Sequence, residues 1–256
     1  MKTVAIIQAR MGSNRLPGKV LMPIVGRPML WHVVRRVRAV PSIDEVVVAV
    51  PDGPADEVLR QFCAANDIAS FSGSEPDVLD RYYRAALAYG ADPVLRITAD
   101  CPLVDPEFIE KLVQLYRSGS CDYAAVAAGA DAQNLNGGCF PDGMDAECFS
   151  FASLKRAWNE AQDPRDREHA TRFIWRRKEL FRCTKLLADQ KYPPLRLTVD
   201  HPQDLEVASR IYEKLFSEGN IFHLSDIVDL LRREPEIIKP NEHLVEGQHY
   251  RAVLEE

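Results

Sequence analysis

Short apolar runs alternate with amphipathic stretches through the first half of this chain, and that rhythm limits the folds open to it. Residues 4–7 (Val4-Ala5-Ile6-Ile7), 45–50, 69–71, 94–98 and 121–127 read as strands. The stretches between them, 28–40, 55–66, 77–89 and 106–117, read as helices. Pro28 stands near the first turn of its helix, and Asp105 opens the last of the four. The pattern predicts βαβ units with right-handed crossovers, hence an α/β fold with a doubly wound, mostly parallel sheet.

The rhythm breaks at residues 129–149, which are rich in Gly, Asn and Asp and include a hairpin-type turn, Asn136-Gly137-Gly138. This stretch reads as an inserted arm, and a long irregular arm in a compact domain is usually functional. Helices are then expected at 150–162 and 167–178, strands at 181–187 and 194–199, and helices at 202–218 and 224–233. Gly219 stops the first of these last two helices. No repeat, low-complexity tract or linker divides the chain. It reads as one domain over residues 1–233, with a polar, proline-broken C-terminal extension over 234–256.

At 256 residues the chain is long enough for a full core, and 46% apolar with 27% charged residues is ordinary for a soluble domain. A net charge of −6 argues against nonspecific nucleic-acid binding, so any phosphate site must be a local basic patch. The N-terminus runs straight into a strand without a leader pattern. No apolar run nears the ~20 residues that span a bilayer. A cytoplasmic protein with no membrane partner is expected. The six cysteines show no C-x-x-C spacing and read as free thiols, Cys101 included.

One such patch follows the first strand. In Gln8-Ala9-Arg10-Met11-Gly12-Ser13-Asn14-Arg15-Leu16-Pro17-Gly18-Lys19, three cations and two glycines cluster at the carboxyl edge of the sheet. Open α/β sheets bind ligands at that edge. Glycine lets backbone N–H groups turn toward an anion, which guanidinium and ammonium groups neutralise. The loop suits a polyphosphate, yet it is not a Walker A loop: five residues separate Gly12 from Gly18, and Val20 follows Lys19. The G-x-G-x-x-G spacing is absent too.

The segment from Ala9 to Lys19 resembles the signature A-R-x-G-S-x-R-L-P-x-K of sugar-activating cytidylyltransferases, at every fixed position. That family includes the synthetases of CMP-sialic acid and CMP-KDO, and the likeness is greatest to the spore coat polysaccharide branch. The resemblance spans most of residues 3–210. It implies a Rossmann-like nucleotidyltransferase fold of glycosyltransferase-A type, and a homodimer joined through the arm. It also implies nucleotide binding by Ala9, Arg10, Gly12, Ser13, Arg15 and Lys19, with Thr98. The segment Ser72-Gly73-Ser74-Glu75-Pro76-Asp77-Val78-Leu79-Asp80-Arg81-Tyr82 resembles the family's G-S-x-x-D-V-L-D-R-Y, which adds Ser72, Gly73 and Arg81. Asp77 and Asp80 also suit the start of a helix for purely local reasons.

Asp100 and Asp200 each follow a predicted strand, and both match metal-binding positions of the family. Taken alone, Asp100 could be a turn or cap residue. Asp200 and His201 could flank a helix start, with Pro202 at its first position and Gln203 in a capping box. Chemistry gives a reason to want both carboxylates, because Mg²⁺ is usually held by one or two of them plus substrate phosphates. Arg10, Lys19, Asp100 and Asp200 are thus the expected catalytic set. For the acceptor, Asp145 and Glu147 resemble G-x-D-x-E-x-F, and Arg167, Glu168 and His169 resemble R-E-H-x-T. Arg167 would pair with an acceptor anion, and His169 could take the attacking hydroxyl's proton.

The implied activity is transfer of CMP from CTP to an acidic sugar in surface glycan synthesis, with release of pyrophosphate. A sugar-1-phosphate or phosphonate nucleotidylyltransferase and a non-catalytic nucleotide-binding subunit remain open. Two departures bear on the acceptor. Ala99-Asp100-Cys101 replaces the Gly-Asp-Pro of the KDO-type branch. The sialic-acid-type pair of aspartates is absent, since Asp200 and Asp204 stand four apart.

Overall fold

The computed structural model describes residues 1–128, 139–190 and 192–245. In chain order the elements are β1 (Val4–Gln8), a hairpin of β2 (Pro23–Ile24) and β3 (Arg27–Pro28), α1 (Met29–Arg38), β4 (Glu45–Pro51), α2 (Glu57–Ala65), β5 (Ala69–Gly73), α3 (Val78–Tyr89), β6 (Val94–Thr98) and α4 (Pro106–Arg117). There follow β7 (Tyr123–Val126), β8 (Glu147–Phe149), α5 (Phe151–Glu160), α6 (Pro164–Glu168), α7 (Arg172–Arg176), β9 (Cys183–Leu186), α8 (Pro202–Leu215), α9 (Leu224–Arg233) and α10 (Glu242–Val245).

Seven strands form one sheet in the order β5-β4-β1-β6-β8-β7-β9. Every pairing is parallel except those of β8, which runs antiparallel to both β6 and β7. Alternate side chains of β1 feed two cores. Ala5 and Ile7 face one beside Val33 of α1, Ile109 of α4 and Ile227 of α9. Val4 and Ile6 face the other beside Tyr82 of α3, Leu154 of α5 and Phe173 of α7. A strand covered on both faces has no polar side to show, which is why Val4-Ala5-Ile6-Ile7 is apolar throughout. From β1 the chain winds outward through β4 to β5, then returns to β6 on the other flank of β1. The strand order therefore reverses at the β1–β6 seam, where doubly wound sheets place their ligands. No described helix is long and apolar enough to cross a membrane.

The second half departs from the sequence reading in four places. Residues 139–149 of the arm expected at 129–149 belong to the body, and β8 sits inside the sheet between β6 and β7. Three residues are too few to show an alternating pattern. Residues 129–138, including Asn136-Gly137-Gly138, lie outside the described residues. The helix expected at 167–178 is two short ones, α6 and α7, separated at Ala170, whose φ of 46° no α-helix accepts.

The strand expected at 194–199 joins no ladder. Its apolar residues are buried because it crosses the carboxyl edge of the sheet, bonding to Asp142 through Leu197 N–H (2.8 Å) and to Asp100 through Val199 N–H (2.8 Å). Finally, the start of α8 is capped by Asp204 rather than Gln203: one carboxylate oxygen accepts the N–H groups of Asp200 and His201, both at 2.9 Å. The described part of the C-terminal extension is packed, with Ile237 in the core and Asn241 fully buried.

Candidate active site

The loop leaving β1 is folded around Met11. Its carbonyl accepts N–H groups from Ser13 (2.9 Å) and Gly18 (3.0 Å), while its own N–H donates to buried Asp56 at 2.7 Å. Closing this turn needs a left-handed residue, and Gly18 supplies it at φ 72°. Lys19 then enters a single 3₁₀ turn with its stem buried. Its ammonium donates to Asp100 Oδ2 (3.0 Å), Asp200 Oδ1 (2.9 Å) and the Val199 carbonyl (2.7 Å). All three N–H groups are thereby used. Burial alone would lower the Lys19 pKa, but the two carboxylates more than offset it and the value is raised.

Asp100 stands just past β6, and Asp200 ends the segment that crosses the sheet edge. The Val199 N–H to Asp100 carbonyl bond stitches these two exits together, with Thr198 Oγ1 donating to the same carbonyl at 3.3 Å. Asp200 also pairs with Arg15 (2.8 Å) and Arg196 (2.8 Å). Burial works against its charge, but Lys19 and Arg15 reverse that and hold the carboxyl below the usual carboxylate range. Among the described residues no three acidic, Cys or His side chains gather into a metal cage. The pair is nonetheless suited to Mg²⁺: both carboxylates reach one cation, and this ion fills its remaining positions with water and substrate phosphate.

These groups line a cleft of about 360 Å³ at the β1–β6 seam. Gln8, Ala9, Arg10, Ser13, Arg15 and Lys19 enter from the first loop, and Arg81 from α3. Arg96, Thr98 and Asp100 come from β6 and its exit, Glu168 and His169 follow from the end of α6, and Asp200 closes the ring. A second hollow of about 510 Å³, lined by Asp44, Glu45 and Asp67, lies at the amino edge of the strands and gathers none of the predicted residues. Five separate stretches of sequence thus meet in one place.

Other predicted residues fall outside the cleft lining. Gly12 is beside Glu75. Ser72 and Gly73 end β5, where Gly73 makes room for Arg81: a Cβ there would lie 3.2 Å from Arg81 Cγ. Buried Arg81 donates to the Ser74 carbonyl, and its Nε has no partner among the described residues. Asp145 accepts the Gly143 N–H at 3.0 Å, and enclosure together with the charge of Asp142 pushes its carboxyl up to about 7. Glu147 pairs with Arg96 at 3.1 Å across the β6–β8 ladder. Burial pushes the Cys101 thiol well up, which suits a packing role rather than a nucleophile's.

Arg167 faces elsewhere than its neighbours Glu168 and His169. Its guanidinium donates to Asp77 Oδ2 at 2.9 and 2.6 Å and to the Trp158 carbonyl at 2.7 Å, tying α6 to the start of α3. The bidentate capacity expected for an acceptor anion is spent on Asp77. Arg167→Ala is therefore expected to cost about 1–2 kcal/mol of stability in a urea titration, discounted for partial exposure, and to leave acceptor KM unchanged. A variant as stable as the parent but with a collapsed acceptor KM would restore the sequence reading.

Sequence reasoning passed over the residues that support Asp200. Arg196 is buried and donates to Asp200, to Asp142 at 2.8 Å and to Asp204 at 3.1 Å. The one available signal was a lone arginine inside the apolar run Leu195–Val199, because a charge so placed needs a buried partner. Asp56 gave no signal beyond its position at a helix start.

Basic loop, facing carboxylates and switch-point cleft together describe a nucleotidyltransferase. The family profile for cytidylyltransferases matches residues 4–230, and the chain belongs to that family. It is 32% identical over 240 residues to the spore coat polysaccharide biosynthesis protein SpsF of Bacillus subtilis, covering 90% of this chain and 94% of that one. It is 34% identical over 209 residues to a 3-deoxy-manno-octulosonate cytidylyltransferase of Nitratidesulfovibrio vulgaris, covering 75% of this chain and 77% of that one. The solved structure of a cytidylyltransferase from Leptospira borgpetersenii superposes with a TM-score of 0.83 at 28% identity, covering 93% and 97% of the two chains.

Proposed function

We propose that the cleft binds CTP with its triphosphate against the β1 loop and transfers CMP to an acidic sugar destined for a surface polysaccharide. The observation that carries this reading is the Lys19 ammonium held between Asp100 and Asp200 beside Arg10 and Arg15. An acceptor hydroxyl attacks the α-phosphorus, the bond from that phosphorus to the bridging oxygen breaks, and pyrophosphate leaves. Arg10 is exposed, lines the cleft and has no ion pair among the described residues, so its guanidinium is available to phosphate oxygens. Arg15, half-exposed, turns from Asp200 to the triphosphate at little cost. Lys19 is already spent and serves to fix the two carboxylates. Asp100 and Asp200 would hold Mg²⁺, which when bound stabilises the charge that builds on the departing pyrophosphate. His169, which also lines the cleft, takes the acceptor's proton, with Glu168 beside it.

The choice of acceptor is supported by the names of the two relatives, one acting on a sugar acid and one in spore coat polysaccharide synthesis. Pyrophosphate release, measured with each of four NTPs against acid sugars, sugar 1-phosphates and phosphonates, tests it. Turnover is expected with CTP and a sugar acid and to vanish with chelator. Turnover only with another NTP and a sugar 1-phosphate, or none with any pair, would overturn the reading.

A further inference from the structure

We propose that Asn241, in the C-terminal extension, is a positioning residue for Asp200, acting through Arg196 and Asp204. This rests on the assignment of Asp200 to the metal and phosphate end of the cleft. Asn241 is fully buried, and its amide nitrogen donates to the Arg196 carbonyl at 3.0 Å and to Asp204 Oδ1 at 2.9 Å. Those two residues fix Asp200 from both sides. Asp204 Oδ2 accepts the Asp200 N–H, which sets the backbone, while Arg196 donates to Asp200 Oδ2, which sets the carboxylate. Arg196 also donates to Asp204 Oδ1 at 3.1 Å, so one oxygen is shared between Arg196 and Asn241.

The chemistry explains why a polar residue occupies this place. Asn241 Oδ1 is buried without a partner among the described residues, and an orphaned acceptor is costly. An apolar side chain of the same volume would avoid that cost but would supply neither N–H. The amide is thus badly suited to pure packing and well suited to holding Arg196 and Asp204 in register. Asp200 needs such support because its carboxylate is contested by Lys19, Arg15 and Arg196, and any of the three could draw it off line. Outer partners of metal-binding groups typically affect metal affinity or activity by about 10–100-fold. Through these bonds the end of the chain becomes part of the site.

Asn241→Leu separates positioning from packing, since it keeps the volume, removes both donors and removes the orphaned oxygen. Asn241→Ala is the second variant. Three readouts are needed: the melting temperature, the kcat and KM for CTP, and Mn²⁺ binding in the presence of CTP followed by electron paramagnetic resonance. The expected result is a melting temperature for Asn241→Leu near the parent's, with kcat down and the Mn²⁺ dissociation constant up, each about 10-fold or more, and KM for CTP little changed. If both variants match the parent in kcat and Mn²⁺ affinity, Asn241 is structural and the proposal falls, whatever their melting temperatures. Asp200→Asn is the control. If it too leaves Mn²⁺ binding and turnover intact, the assignment of Asp200 is what fails.

Discussion

Lys19→Met is expected to keep the fold and to lose about 10–100-fold in kcat, the scale of removing an outer partner of metal-binding groups. Methionine matches the length of the lysine stem, so packing around Val20 is preserved while the ammonium disappears. Asp200 retains Arg15 and Arg196, but Asp100 loses its one ion pair among the described residues. Two carboxylates that had converged on a shared cation then face one another without it. Asp100 is then free to swing away, which leaves it unfit to bind a metal or face a triphosphate. Steady-state pyrophosphate release beside a thermal melt measures both halves of the claim. Unchanged kcat in a folded variant would reduce Lys19 to a structural tie.

Gly143→Ala should be the most destabilising alanine replacement among the described glycines, at roughly 3–5 kcal/mol. Two independent costs meet there. The φ of 97° is one that side chains with a Cβ rarely adopt. An ideal Cβ would also lie 2.5 Å from both the Leu197 carbonyl carbon and the Thr198 nitrogen, which are backbone atoms that cannot rotate aside. The segment that must give way carries Arg196, Thr198 and Asp200. Even the folded fraction is therefore expected to turn over at least ~10-fold more slowly, because small misplacements of reacting groups are expensive. Chemical denaturation and kcat on the same preparation test this. Parent-like values in both would show that residues 197–198 are far more compliant than their burial suggests.

The parallel half of the sheet was legible because β1 and β4 are nearly continuous apolar runs and each of its strands is followed by an amphipathic helix. The basic loop was legible from its glycines and charges alone, and its meaning from family resemblance. What escaped was the part of the site made by residues distant in sequence. Arg196, Asp142 and Asp204 are ordinary charges until the chain crosses the sheet edge, and Asn241 lies 45 positions from the carbonyl it binds. The failed strand at 194–199 has the same origin: its apolar pattern reports burial, and burial at a sheet edge needs no ladder. Arg167 lies outside the cleft lining for a different reason: its guanidinium is taken up by Asp77. A charged residue beside two cleft residues on a short helix points to its own side of the turn.

The antiparallel strand β8 gives the sheet a seam. On one side stand β5, β4, β1 and β6, held by parallel ladders, and on the other β7 and β9. The three residues of β8 are the ladder that joins these halves. Arg96 and Glu147 face each other across that join, and Arg96 also lines the cleft, with Nε 3.3 Å from Gln8 Oε1. An occupant that engages Arg96 would therefore act on the strand pair that joins the two parts of the sheet. Substrate loading and the joining of the two parts of the sheet would then draw on the same guanidinium.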